Sequence, residues 1–198
     1  HGRLSLQKAF TVSCNNAFAQ CALMLKDAAL RKTAEDFGFN DNFLFRDIVV
    51  ENSVYPTTGR NDVEVAWSGV GQSQIAATPL HMCMVAAAVA NDGVMMEPRL
   101  LQSVTSPLGT VRLRFTQKEY RRAVPEDIAE TLKGYMREVV TSGTGTAASV
   151  SGLTIAGKTG SAEAAIDGVD VTHAWFVGYI VDSGLPYACC VLVESGGG

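Results

Sequence analysis

The chain has 198 residues, 47% hydrophobic and 18% charged, with 16 basic and 20 acidic side chains and a formal net charge of -4. Such a composition supports a sizeable core and excludes wholesale disorder. No apolar run approaches the ~18 residues of a membrane span, and no basic block marks a nucleic-acid surface, so nucleic acid is excluded as a first partner. The chain opens His1-Gly2-Arg3, without an initiator Met or a signal-like stretch. It closes with Glu194-Ser195-Gly196-Gly197-Gly198 directly after an apolar run, so both ends read as cuts. The lack of a targeting segment therefore carries no information about location.

Residues 5–30 read as two helices, their apolar positions interrupted by Ser13-Cys14-Asn15-Asn16. A shorter helix fits 31–37, ended by Gly38. Residues 40–77, rich in Asn, Thr, Gly and Ser, read as an elaborated loop. Thr78-Pro79 supplies an N-cap and a proline at the first helical position. The helix it opens runs to about Ala90, stops at Asn91-Asp92-Gly93, and is apolar nearly all round, which predicts burial. Residues 100–105 and 110–115 flank Ser106-Pro107-Leu108-Gly109 as a hairpin.

Pro125 opens a helix to about Thr141, with Ile128, Leu132, Tyr135, Met136, Val139 and Val140 as its apolar stripe. Residues 142–146 read as a flexible link. The last third is predicted as three strands, 153–158, 173–181 and 187–194, with turns at Asp167-Gly168 and Ser183-Gly184. The last two are apolar on both faces, which predicts a covering layer on each side. The fold class is α+β, a helical region followed by a three-stranded antiparallel sheet.

The five cysteines are Cys14, Cys21, Cys83, Cys189 and Cys190. Cys14 and Cys21 lie two helical turns apart, beyond disulfide reach. Cys189 and Cys190 point to opposite faces of one strand. No metal-binding spacing is present, and free thiols are expected.

Four patterns could carry chemistry. Gly152 to Thr159 spells G-x-x-x-x-G-K-T, a phosphate loop in letters, but β-branched residues fall inside the supposed loop and too little chain follows for a nucleotide-binding sheet. Ser5-x-x-Lys8 has the form of a nucleophile and its base; a helix cap and a solvated lysine explain it better. Lys158-Thr159-Gly160 at a strand end offers an anion site: a positive charge, a hydroxyl, and a glycine that lets a substrate backbone approach. Ser13-x-Asn15, in a turn between helices, can aim a hydroxyl and an amide into one cleft.

Taken together, Ser13-Cys14-Asn15 and Lys158-Thr159-Gly160 resemble the second and third motifs of the penicillin-binding protein transpeptidase domain, whose set is S-x-x-K, S-x-N and K-T-G. The stretches from Gly71-Gln72-Ser73 to Thr78-Pro79-Leu80, Asn91-Asp92-Gly93, and His173 to Gly178 are similar to the family in the same order. The resemblance implies the penicillin-binding protein/serine β-lactamase-like fold and a peptidoglycan D,D-transpeptidase. Its partners would be the peptidoglycan stem peptide and β-lactams, with no cofactor or metal.

The same resemblance assigns proton relay to Ser13, substrate-amide binding to Asn15, and positive potential over the cleft to Lys158. Thr159 and the Ser161 hydroxyl would grip the substrate carboxylate beside Gly160, and the Ser161 N–H would form half of an oxyanion hole. Cys14 and His173 receive no chemical role.

Ser5 lies only eight residues before Ser13, where the family has ordinary helix, so the nucleophile is not transferred to it. Residues 1–198 are accordingly expected to be a partial domain. It would lack the N-terminal part and the closing helix, be inactive alone, prone to self-association, and derive from a protein anchored at the extracytoplasmic face of a bacterial membrane. A serine β-lactamase, a β-lactam sensor and a non-enzymatic interaction module remain as alternatives. The 145 positions between Ser13 and Lys158 favour a synthase over a compact lactamase.

Overall fold

Ser5 caps α1 (Leu6–Thr11) by accepting the Lys8 N–H at 3.2 Å, and Lys8 is exposed. The Ser5-x-x-Lys8 pattern is thus a helix start. The computed structural model describes residues 1–45, 49–166, 168–181 and 184–197. The expected turn residues Asp167 and Ser183 lie outside the described residues.

A three-residue link leads into α2 (Asn15–Asp36), which breaks at Lys26, where φ is 71°. The separate helix expected over 31–37 is the second half of α2. An Asp27–Arg31 ion pair of 2.9 Å spans the place where the break was expected, as an i,i+4 pair does on continuous helix. The 40–77 region is not all loop. It contains α3 (Asp62–Ser68), started by a capping box in which Asn61 and Glu64 satisfy each other's backbone N–H groups. The N-x-x-E spelling was present in the sequence.

Arg60, its side chain 3% exposed, ties this region to α2. Its guanidinium donates to Asp27 Oδ1 at 3.3 Å, the Tyr55 hydroxyl at 3.1 Å, the Glu64 carbonyl at 2.7 Å and the Ser68 and Ser73 hydroxyls at 2.5 and 3.3 Å. Burial alone would raise the Asp27 carboxyl, but bonds from Arg31 and Tyr55 hold it below the usual carboxylate range.

Thr78 caps α4 (Pro79–Ala90) through the His81 N–H. A two-stranded sheet that the sequence reading missed joins β1 (Val94–Met96) to β4 (Glu119–Arg122), and the expected hairpin is β2 (Ser103–Thr105) with β3 (Val111–Arg114). In α5 (Glu126–Ser142) the buried positions are Ala129, Met136, Val139 and Val140. Ile128, assigned to the stripe from sequence, is 46% exposed.

The main sheet has the order β5–β6–β7 and is antiparallel throughout. Both β5 (Thr154–Ile166) and β6 (Val169–Val181) are longer than expected. They pair residue for residue from Thr154↔Val181 to Ile166↔Val169, so cross-strand bonding carries the Ala-rich 162–165 stretch, which has little strand propensity of its own. Because β5 starts inside the supposed phosphate loop and holds Lys158 in a strand with no helix after it, that reading is overturned.

Ala86 and Val89 of α4, Met136 of α5, Ala156 of β5 and Tyr179 of β6 form the buried cluster between the helices and one sheet face. Gly157 allows the Phe176 ring to lie across the strand, since a Cβ there would sit 2.4 Å from the ring. The expectation that both faces of the last strands are covered fails for β7 (Ala188–Val193), whose side chains alternate between half-buried and exposed. Tyr187, Val191 and Val193 are 64%, 52% and 51% exposed.

His81, 1% exposed, donates through Nε2 to the Phe37 carbonyl at 2.7 Å and packs on the Phe39 and Phe43 rings. Its Nδ1 is buried without a partner among the described residues. Burial therefore pushes the imidazole pKa below 6.5. The unfolded chain then binds more protons than the folded one as pH falls through that value. The stability that His81 contributes should be complete above the ordinary histidine value of about 6.5 and decline as pH falls below it. Urea midpoints across that value should show the decline in the wild type and a flatter profile in His81→Gln.

Candidate active site

The link between α1 and α2 sorts its residues by direction. Bonds from Ser13 N to Phe10 O and from Cys14 N to Ala9 O, 3.1 and 2.8 Å, close the turn. They hold Ser13 at φ 52°, in the left-handed region where a non-glycine residue is strained by about 1 kcal/mol or more. Cys14 is buried and anchors the link, while Ser13 stays half-buried and turns its hydroxyl to β5. There Lys158 Nζ donates to Ser13 Oγ at 2.9 Å and to the Thr159 carbonyl at 2.7 Å. The same ammonium lies 5.8 Å from the Phe10 ring centroid. Burial lowers its pKa from the usual lysine value, because desolvation penalises the charged form.

The orientation of the β5 edge follows from two bonds on the far side of β6. Ile180 N donates to Tyr187 O at 3.0 Å, and Gly197 N donates to Thr172 O at 3.2 Å. The even-numbered residues of β6 therefore turn their peptide groups towards β7. Their partners on the unbroken β5 ladder, including Gly157, Thr159 and Ser161, turn N–H and C=O outward along the free edge. Among the described residues, two side chains meet that row: Lys158 at the Thr159 carbonyl, and Gln72, whose Nε2 donates to the Ser161 carbonyl at 3.1 Å. The Ser161 N–H faces the same way.

Of the sequence-predicted residues, Ser13, Lys158 and Thr159 are thus joined by direct bonds, and Ser161 continues their edge. Asn15 stands exposed in the first turn of α2, two residues past Ser13, with no hydrogen bond to its side chain among the described residues. Gly160 is exposed; a Cβ there would touch only the Trp175 side chain, at 3.4 Å. His173 is structural: its Nδ1 accepts the Ser195 N–H at 3.1 Å.

Two residues were missed from sequence. One is Gln72. The other is Thr144, whose hydroxyl lies 2.6 Å from that of Thr159. The supposed flexible link at 142–146 is packed, with Thr144 N donating to Thr11 O at 3.3 Å and a 3₁₀ turn following at Thr146–Ala148. The glycines flanking Thr144 were the available signal, since a Cβ on Gly143 would lie 2.4 Å from the Thr11 carbonyl oxygen.

The family model for the penicillin binding protein transpeptidase domain matches residues 1–198. The chain belongs to that family. It is 36% identical over 200 residues to the peptidoglycan D,D-transpeptidase PbpA of Mycolicibacterium smegmatis, covering 98% of this chain and 39% of that protein. The chain thus spans about two-fifths of the length of this relative. The D,D-transpeptidase domain of a peptidoglycan glycosyltransferase from Eggerthella lenta superposes with a TM-score of 0.89 at 31% identity, over 98% of this chain and 49% of that one. An imipenem acyl-enzyme complex of penicillin-binding protein A from Mycobacterium tuberculosis gives 0.86 at 30% identity, over 98% and 43%. The fold is that of the penicillin-binding protein transpeptidases.

Two glycines of this transpeptidase-family chain should respond oppositely to alanine. Gly134 lies within α5 with open space at its Cβ, so Gly134→Ala should stabilise by about 0.5–1 kcal/mol. Gly143→Ala drives a methyl into the backbone of Thr11 and should destabilise by about 1–3 kcal/mol. Denaturant midpoints of the two variants measure both effects.

Proposed function

We propose that the full-length protein is a peptidoglycan D,D-transpeptidase and that this chain carries the part of its domain with the second and third motifs. The observation that supports the reading most directly is the 2.9 Å bond from Lys158 to Ser13, which unites two motifs 145 positions apart. The nucleophilic serine is supplied by residues outside this chain. Its Oγ attacks the carbonyl carbon of a D-Ala-D-Ala stem, the C–N bond to the terminal D-Ala breaks, and an acyl-enzyme remains. An amine of a second stem then attacks the ester, forming the cross-link, and the serine recovers its proton.

Ser13 relays the proton to the leaving amine, and Lys158, hydrogen-bonded to Ser13, holds positive potential over the cleft. Asn15 binds the substrate amide. Thr159 and the Ser161 hydroxyl hold the terminal carboxylate beside Gly160, and the outward Ser161 N–H donates to the oxyanion. β-Lactams follow the same first step and stop at the acyl-enzyme. The site works at the extracytoplasmic face of a bacterial membrane, with the anchor elsewhere in the protein; no described helix is long and apolar enough to cross one.

In the full-length protein, labelled penicillin should remain on the denatured chain. Ser13→Ala and Lys158→Ala should each slow labelling by ~10²-fold or more, the usual share of a proton-transfer group. Residues 1–198 alone should take no label. A label on them that Ser5→Ala abolishes would refute the assignment of the nucleophile to residues outside the chain.

The exposed face of β7 supports a second part of the reading: the remainder of the domain packs there. Isolated from it, the chain should self-associate, because Tyr187, Val191 and Val193 lie on an open sheet edge, a template for pairing. Light scattering at tens of micromolar should give a mass above the 21.0 kDa of one chain.

A further inference from the structure

Gln72 and Ser161 are 89 positions apart in sequence, yet the Gln72 carboxamide reaches the Ser161 carbonyl. Its aim is set by a held backbone. The Gln72 N–H donates to Trp67 O at 3.0 Å. The neighbouring Ser73 hydroxyl accepts from the buried Arg60 guanidinium at 3.3 Å.

An extended acyl-amide adding to a free strand edge gives its N–H to an outward carbonyl and takes an outward N–H in return. On β5 the outward acceptor paired with the Ser161 N–H is the Ser161 carbonyl, which Gln72 holds. The preceding outward acceptor, at Thr159, is held by Lys158. A ligand strand therefore meets an edge whose acceptors are already taken, one by a lysine within the motif cluster and one by a neutral amide from a separate loop.

We propose that Gln72 is a specificity-determining residue of this site. Its carboxamide stands in for the ligand's amide N–H. An acyl-amide ligand has to displace it, whereas a ligand with no such N–H leaves it in place. The proposal rests on the acylation reading given above.

The test compares two β-lactams on the full-length protein. Penicillin G carries a side-chain amide N–H; imipenem carries a hydroxyethyl group in its place. Gln72→Ala and Gln72→Met both remove the donor without adding a charge and keep the backbone bond to Trp67. In both variants the second-order acylation rate of penicillin G should rise about two- to ten-fold, the worth of one exposed amide hydrogen bond. The imipenem rate should stay within about two-fold of wild type, which also shows that the variants fold.

A penicillin G rate that is unchanged or falls, or an equal rise for both drugs, overturns the proposal. If the wild-type protein takes neither drug, the acylation reading fails and the role of Gln72 fails with it. If imipenem acylates normally and only the penicillin G response is missing, the role of Gln72 alone is wrong.

Discussion

A half-buried lysine ammonium must find oxygen partners, and much of this structure is arranged around where Lys158 finds them. Desolvation of its charge is offset by two acceptors, the Ser13 hydroxyl and the Thr159 carbonyl, with the Phe10 ring alongside. Each partner depends on a different element. Ser13 requires the tight α1–α2 link with its left-handed residue. The Thr159 carbonyl requires the alternation of β5 against β6. Phe10 requires α1 to lie against α5, which the Phe10–Tyr135 ring contact at 5.8 Å records. One amine thereby holds the helical region to the sheet.

The sheet supplies direction as well as support. An unbroken antiparallel ladder fixes which peptide groups point outward at every second residue. Once Ile180 and Thr172 are seen to bond towards β7, Thr159 and Ser161 have to face the free edge of β5. The edge is thus a row of outward peptide groups set without any special local geometry. At the other end of the sheet the same regularity leaves β7 open, with apolar side chains on its uncovered face.

The irregular 49–77 stretch owes its placement to a buried cation too. Arg60 gathers acceptors from α2, α3 and the loop that follows, and the bonded carboxylate of Asp27 completes the pair. A buried pair of this kind is weak evidence for stability, because desolvation takes back much of the attraction. Its effect is positional: it sets Ser73, and with it Gln72, beside the β5 edge.

Sequence alone determined the features that rest on neighbours within a few residues. Helix starts at Ser5, Thr78 and Pro125, the chain reversal at Ser13 and the hairpin around Pro107 were all legible, because caps and turns are local chemistry. The capping box at Asn61 was equally local and was passed over inside a polar stretch. Tertiary structure decided the rest. The full length of β5 came from cross-strand pairing, not from its alanines. Burial of Ala129 in place of Ile128 came from the way α5 packs against its neighbours. Gln72 and Thr144 joined the site through bonds to residues 89 and 15 positions away, one fixed by a buried arginine and the other by a glycine-limited approach to Thr11. No local pattern encodes such bonds, since each exists only when two separately formed elements are packed within hydrogen-bond distance.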